Sequence, residues 1–138
     1  MSALDLIHEA VKNALIKDGW VITADPYTIK YKEVTLFADL GADRPIAAER
    51  GEQKIAVEIK SFVNRSPLRE LELALGQYLL YGDFLALTDP ERKLYLAISQ
   101  RIYDGFFQQK AIQLVVQQNQ LPLIVVNIET EEIGAWIN

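Results

Sequence analysis

Strand-length apolar runs alternate with helix-length amphipathic segments along most of this chain. Residues 2–20 carry apolar side chains at helical spacing, with Ser2 as the N-cap and Gly19 as the stop signal. Residues 66–87 predict a second helix, because a serine N-cap is followed by proline at the first helical position. Residues 101–120 predict a third helix, which a glycine near its start would interrupt.

The remaining apolar segments predict strands, since they are short and bounded by turn signals. They are DPYTIKY (25–31), VTLFADLG (34–41), two runs within 44–62 joined by a hairpin at Arg50–Gln53, KLYLAIS (93–99), LPLIVVNIE (121–129) and a short edge strand, EIGAWIN (132–138). The order helix, several strands, helix, strand, helix, strand predicts an α/β fold with helices packed on a mixed sheet. With 138 residues we expect a single domain.

Charge and composition narrow the classes of function. The formal net charge is −5, so the chain lacks the excess of Lys and Arg with which proteins usually grip duplex DNA unaided. The absence of cysteine excludes disulfides and thiolate metal sites, and it fits a reducing cytoplasm. The apolar runs are too short to span a bilayer, and the acidic N-terminal segment does not resemble a secretory signal. We therefore expect a cytoplasmic protein without a membrane segment.

The run KIAVEIKSF places an acid and a base on one face of an apolar strand. Alternation puts its β-branched residues on one face and Glu58 and Lys60 on the other. On an exposed face such a pair is usually only solvated, but between apolar neighbours idle charges are costly. The pair is therefore either a solvated edge or one corner of an active site.

Asp39 ends the predicted strand VTLFADLG. An aspartate at this position is commonly a turn residue, and it can also be a ligand for Mg²⁺ or Mn²⁺. Asp43 and Glu49 compete for the same assignment.

Two further polar positions lie on the predicted helices. His8, the single histidine, lies on the shoulder of the apolar stripe of the first helix and is either a packed residue or a metal ligand. Gln77 and Tyr81 are four residues apart on the second helix and therefore share one face. They are either an ordinary helix flank or part of the same site.

In chain order the sequence offers a histidine on a first helix, an aspartate at a strand end, Glu-x-Lys on a later strand and Gln-xxx-Tyr on the next helix. This order resembles the PD-(D/E)XK nuclease superfamily, in its RecB-like branch. Over nearly its whole length the chain also resembles the XisH family, the fdxN-element excision controlling factors of cyanobacteria, through HEAVKNALIKDGW, DLGADRPIAAE, KIAVEIKSF and ALGQYLLY. The resemblance implies a restriction-endonuclease-like core of order α-βββ-α-β with an added C-terminal helix and strand.

The nuclease resemblance also implies a role for each candidate residue. A divalent ion, Mg²⁺ or Mn²⁺, would be held by His8, Asp39, Glu58 and the main-chain carbonyl of Ile59. Lys60 would orient or help to deprotonate the attacking water and would stabilise charge in the transition state. Gln77 and Tyr81 would lie behind the site and hold Lys60 or the nucleic-acid backbone.

Two features depart from the nuclease pattern. The residue before Asp39 is Ala38, so the proline of the superfamily name is missing. Nineteen positions separate Asp39 from Glu58, so the intervening segment must loop out or form its own hairpin. A tight hairpin would place Asp43 opposite Glu58, and both aspartates stay open as the second carboxylate.

Three functions compete at this point. The first is a metal-dependent endonuclease acting on DNA, and the second is an inactive nuclease-like scaffold that assists element excision through partners, for which the XisH resemblance implies a small protein, XisI. The third is a protein-binding module that forms homo-oligomers through a sheet edge near Trp136. The cations that we expect to meet DNA are Lys30, Lys32, Arg65 and Arg69, and the two arginines begin a helix whose N–H groups favour phosphate.

Overall fold

The structure, a computed structural model, describes residues 2–45, 52–63 and 65–138. Within these residues the helices are α1 (Ala3–Lys17), α2 (Pro67–Thr88), α3 (Gln100–Asp104) and α4 (Lys110–Gln118), with a 3-10 turn at Phe106–Gln108. The strands are β1 (Val21–Ala24), β2 (Tyr27–Tyr31), β3 (Val34–Ala38), β4 (Leu40–Pro45), β5 (Glu52–Ile59), β6 (Arg92–Ser99), β7 (Leu123–Asn127) and β8 (Glu132–Ile137).

Six of these strands form one mixed sheet, and β2 and β3 pair in a separate antiparallel sheet. The order in the large sheet is β1-β4-β5-β6-β7-β8. Strands β5, β6 and β7 are parallel neighbours, whereas β4 pairs antiparallel with β1 and β5, and β8 pairs antiparallel with β7. The predicted mixed sheet with packed helices is confirmed. The carboxyl ends of the three parallel strands meet at one edge of the sheet.

The ends of α1 follow from local signals. The Ser2 hydroxyl accepts the Asp5 N–H and the Asp5 carboxylate accepts the Ser2 N–H, which is a capping box at the start of α1. Gly19 follows the end of α1 with φ +92°, a backbone conformation that favours glycine. Among the described residues no helix has the length and apolarity needed to cross a membrane.

The predicted strand 34–41 is in fact two strands in two different sheets. The strand is interrupted at Asp39, so that β3 pairs with β2 and β4 pairs with β5. The break has a tertiary cause, because the Asp39 carboxylate accepts the Ile59 N–H at 2.7 Å. Strand β1 was not predicted as a separate strand, and the third helix is divided at Gly105, as its glycine suggested.

The predicted hairpin at 50–53 is only partly visible. Strands β4 and β5 pair antiparallel, with Pro45 opposite Glu52. Residues 46–51, which include Glu49 and the first two residues of the predicted turn, lie outside the described residues, whereas Glu52 and Gln53 belong to β5 and not to a turn.

Buried apolar residues cover both faces of the large sheet. On one face α1 packs over alternate residues of β4 to β7, including Ile55 and Val57 of β5. On the other face α2, α4 and the β2–β3 hairpin pack over the intervening residues, including Ala56. Because Glu58 follows Ala56 by two positions, its side chain starts from the face that α2 covers.

β8 is the last strand of the sheet, as the sequence predicted. The ring of Trp136 packs against Trp20 and Tyr95, with ring centroids 5.7 and 5.1 Å apart. The tryptophan is thus partly buried against the core cluster under α1.

Candidate functional site

The candidate site lies where β5 ends, beside the break between β3 and β4. Leu40 pairs with Val57, so the preceding residue, Asp39, lies next to Glu58. A cavity of about 390 Å³ opens there between the start of α1 and the start of α2. Its lining is Leu4, Asp5, His8, Asp39, Glu58, Ile59, Lys60, Ser61 and Glu70.

Of the two competing aspartates, the structure brings Asp39 to this cavity. Its carboxylate is fixed by the Ile59 N–H, 2.7 Å from Oδ2. Asp43 instead lies opposite Lys54 and accepts a hydrogen bond from the guanidinium of Arg92 at 3.0 Å. The alternative that placed Asp43 opposite Glu58 is therefore wrong.

Glu58 is the most perturbed acid of the site. Its side chain is 13% exposed, and its Oε1 atom is buried without a hydrogen-bond partner. Burial raises the pKa of the Glu58 carboxyl to about 7, and the adjacent Asp39 carboxylate adds to the rise, while Lys60 opposes it. Two carboxylates are thus held together at a cost that a cation would relieve.

Lys60 lies just beyond the last residue of β5 but continues the strand ladder. Its backbone N–H donates to the Ala97 carbonyl at 3.0 Å. Its ammonium lies 3.7 Å from Glu58 Oε2, and both side chains are largely buried. The acid and the base therefore form one contact pair in the cavity, not a solvated edge.

Gln77 and Tyr81 approach Glu58 from α2. The three residues line a cavity of about 10 Å³, the volume of roughly one water position. Gln77 Oε1 is buried there without a hydrogen-bond partner, like Glu58 Oε1. Burial raises the pKa of the Tyr81 hydroxyl, and the Glu58 carboxylate raises it further. The pair expected behind Lys60 thus lies beside Glu58.

His8 reaches the cavity from α1 and is bonded to a residue that the sequence did not single out. Its Nε2 lies 2.9 Å from Asp25 Oδ1, and the Lys12 ammonium lies 3.0 Å from Asp25 Oδ2. Partial burial opposes ionisation of Asp25, but its hydrogen bonds to Lys12 and His8 hold the pKa of the carboxyl below its usual value. Asp25 lies between β1 and β2, whereas the sequence pattern placed it at the start of the predicted strand 25–31.

The donor set fits a hard divalent cation at Asp39 and Glu58. Mg²⁺ typically takes one or two carboxylates and completes its coordination with water and substrate phosphate. The unpartnered Glu58 oxygen and the crowding of two carboxylates both favour a cation there. Within the described residues no three His, Asp or Glu side chains already converge on one point, so His8 is not preassembled with the two acids.

The cations expected to meet DNA fall into two groups, Lys30 and Lys32 on the β2–β3 hairpin and Arg65 and Arg69 at the start of α2. The hairpin packs on the second half of α2, where the rings of Tyr31 and Phe84 lie 6.0 Å apart. Phe84 is about 22 Å from Arg69 along the helix, at a rise of 1.5 Å per residue. The four cations therefore do not form one patch around the cavity.

Comparisons with known proteins give the family of the chain. The family model described as XisH protein matches residues 1–134. An XisH family protein from Nostoc punctiforme has a similar structure, with a TM-score of 0.88, 41% identity, and 97% of this chain and 100% of that chain covered. A fdxN element excision controlling factor protein from Anabaena variabilis is similar with a TM-score of 0.86, 43% identity, and coverage of 97% and 99%. No match was found among curated proteins. This chain belongs to the XisH family.

Proposed function

We propose that this protein is an excision controlling factor of the fdxN-element type, whose cavity at Asp39 and Glu58 binds a divalent cation and hydrolyses DNA. One observation carries the proposal: two carboxylates are held together at a strand end, beside Lys60, with a Glu58 oxygen that has no partner. A cation would satisfy that oxygen and offset the repulsion between the two acids. The name of the similar Anabaena variabilis protein supports the part of the proposal that concerns excision.

Each residue of the cavity has a different role in the proposed reaction. Asp39, Glu58 and the carbonyl of Ile59 would hold the cation, which when bound supplies positive charge to the phosphate and makes water more acidic. Lys60 would orient the attacking water and stabilise charge that develops on the phosphate oxygens. From α2, Gln77 and Tyr81 would hold the Glu58 side chain in place.

The negative net charge indicates that the protein needs a partner to bind DNA. At a net charge of −5 the protein would bind DNA weakly alone, because few phosphates could be neutralised. We propose that a small partner of the XisI type, or a homo-oligomer, completes the DNA-binding surface in the cytoplasm.

Mn²⁺ binding tests the proposal without a guess about the DNA substrate. Calorimetry on the purified protein is expected to show Mn²⁺ binding that Glu58→Ala abolishes. Glu132→Gln, which removes an exposed acid outside the cavity, is expected to leave the binding unchanged. Branched, single-stranded and duplex DNA are then screened with Mg²⁺ and Mn²⁺. Lys60→Ala is expected to keep the metal affinity within about threefold and to lose cleavage. Absence of binding at millimolar Mn²⁺ would overturn the proposal.

An inactive scaffold is the second candidate function. The observation that favours it is that, among the described residues, His8 does not already converge with Asp39 and Glu58 on one point. In this case the protein would act in excision only through partners. Wild-type protein that binds XisI but neither binds Mn²⁺ nor cleaves any of the three DNA forms would identify it.

A further inference from the structure

Asp25 joins two residues of one helix face. His8 and Lys12 are four positions apart on α1, and each contacts a different oxygen of the Asp25 carboxylate, at 2.9 and 3.0 Å. Asp25 itself comes from the connection between β1 and β2, so the contact links α1 to a separate part of the fold. The three side chains are each about 26–31% exposed, so the cluster does not lie in the core, and His8 is its member that lines the cavity.

The Asp25 contact determines which imidazole nitrogen carries the proton. An ionised carboxylate can only accept hydrogen bonds, so Nε2 of His8 must donate to Asp25 Oδ1. A neutral imidazole protonated at Nε2 has its lone pair on Nδ1. The Lys12 ammonium contacts the other oxygen of Asp25 and favours the ionised carboxylate.

We infer that Asp25 is a positioning residue, which holds the His8 ring with Nε2 protonated so that Nδ1 is the nitrogen that binds the divalent cation. Histidines that ligate metals almost always donate their other ring N–H to a carboxylate, a carbonyl or water, which orients the ring and increases its basicity. The bond to Asp25 is thus the support that a histidine ligand requires. The inference rests on the proposed function, because it assumes a cation at Asp39 and Glu58.

The single histidine makes the proton position directly measurable. In protein labelled with ¹⁵N-histidine, one imidazole gives all side-chain signals, and at about pH 8.5 an ordinary imidazole is neutral. We expect the Nε2–H form, with a proton that exchanges with water at least tenfold more slowly than in Asp25→Ala. Zn²⁺, a diamagnetic probe, is expected to shift the Nδ1 signal most strongly.

Metal affinity supplies the second readout. Loss of such a carboxylate partner typically weakens metal binding by about 10- to 100-fold, and we expect this for Mn²⁺ in Asp25→Ala. Asp25→Asn keeps an oxygen that accepts the Nε2–H, so it is expected to lose less affinity, and it carries the test if the alanine variant does not fold. Lys12→Met removes the other partner of Asp25 and is expected to retain the Nε2–H signal and the affinity within about threefold.

The outcomes separate this inference from the proposed function. An Nδ1–H imidazole, a Zn²⁺ shift at Nε2, or unchanged Mn²⁺ affinity in folded Asp25 variants would overturn the role of Asp25, while Glu58-dependent binding would still support the metal site. If wild-type protein binds no Mn²⁺, both ideas fail together.

Discussion

The backbone pairing of β4 with β5 brings the carboxyl groups of Glu58 and Asp39 next to each other. Asp39 is tied to the Ile59 N–H, and Glu58 is fixed by the register of β5 against β4. Lys60 offsets part of the repulsion, but the pKa of the Glu58 carboxyl still rises to about 7, first through burial and then through Asp39. Without a cation, this pair therefore costs stability when both acids are ionised.

The free energy of unfolding should consequently fall as the pH rises. The folded protein binds the Glu58 proton more tightly than the unfolded chain, so the stabilisation is complete below about pH 4.5 and is lost as the pH passes 7. A rise from 4.5 to about 7 corresponds to an effect on the order of 3 kcal/mol. Glu58→Gln removes the titrating group, so at pH 8 without metal we expect it to be more stable than wild type by roughly 1–3 kcal/mol.

Urea unfolding at pH 5 and pH 8 in EDTA measures this difference. Glu132→Gln, which removes an exposed acid of β8, is the matched control and should follow the wild-type pH profile. If the wild type and Glu58→Gln change in parallel between the two pH values, the carboxyl is not perturbed in the way described. Saturating Mn²⁺ is expected to reduce the pH dependence of the wild type, because the ion favours the ionised form.

At the scale of elements, the β2–β3 hairpin is held against the large sheet by close contact at Gly41. A Cβ atom at Gly41 would lie 2.7 Å from Cδ2 of Tyr27, so an added methyl group must displace that ring. We expect Gly41→Ala to lower the free energy of unfolding by about 1–3 kcal/mol. Gly76→Ala is the control, because open space surrounds this position in α2 and alanine favours helix by about 0.5–1 kcal/mol. Equal stability of Gly41→Ala and wild type in urea would contradict this account.

Arg92 joins strands that are distant in sequence. Its side chain is 7% exposed, donates to Asp43 at 3.0 Å and to the Ile55 carbonyl at 2.9 Å, and pairs with Asp89 at 2.9 Å. Arg92→Met would leave two partly buried acids and the Ile55 carbonyl without this partner, so we expect a loss of about 1–3 kcal/mol. Arg69→Met removes an exposed arginine paired with Glu72 at 3.7 Å and should change stability by less than about 0.5 kcal/mol. Chemical denaturation compares the two, and a similar small change in both would refute the structural role of Arg92.

The elements that the sequence predicted well are those whose ends depend on neighbouring residues. The Ser2 N-cap, Gly19 and Gly105 act within a few positions, so their effects were visible in the sequence. The division between β3 and β4 depends on a hydrogen bond that the Asp39 carboxylate accepts from the N–H of Ile59, twenty positions away, and no local pattern reveals this bond. The pairing of Asp25 with α1 was missed for the same reason.

The candidate site shows the same contrast. The Glu-x-Lys spacing was sufficient to bring Glu58 and Lys60 together, because a strand places alternate residues on one face. The choice between Asp39 and Asp43 required the register of β4 against β5, which depends on the connection between the strands and not on their composition.

For the molecule as a whole, the net charge of −5 makes the placement of cations decisive for any contact with DNA. Arg65 and Arg69 are exposed at the start of α2, and Glu70, in the same turn, lines the cavity. We expect these arginines to contact the phosphates nearest the proposed site.

Replacing Arg65 and Arg69 together by glutamine should weaken DNA binding and reduce its dependence on salt. Each lost phosphate contact lowers the slope of log K against log salt concentration by about 0.9, so two contacts predict a reduction of about 2 on duplex DNA. Fluorescence anisotropy in EDTA at several salt concentrations measures the slope without cleavage. Lys93→Gln with Lys110→Gln makes the same change in net charge at exposed positions that do not line the cavity, and should alter the slope less. Equal slopes for the two double variants would mean that net charge alone governs binding and that DNA has no preferred contact at the start of α2.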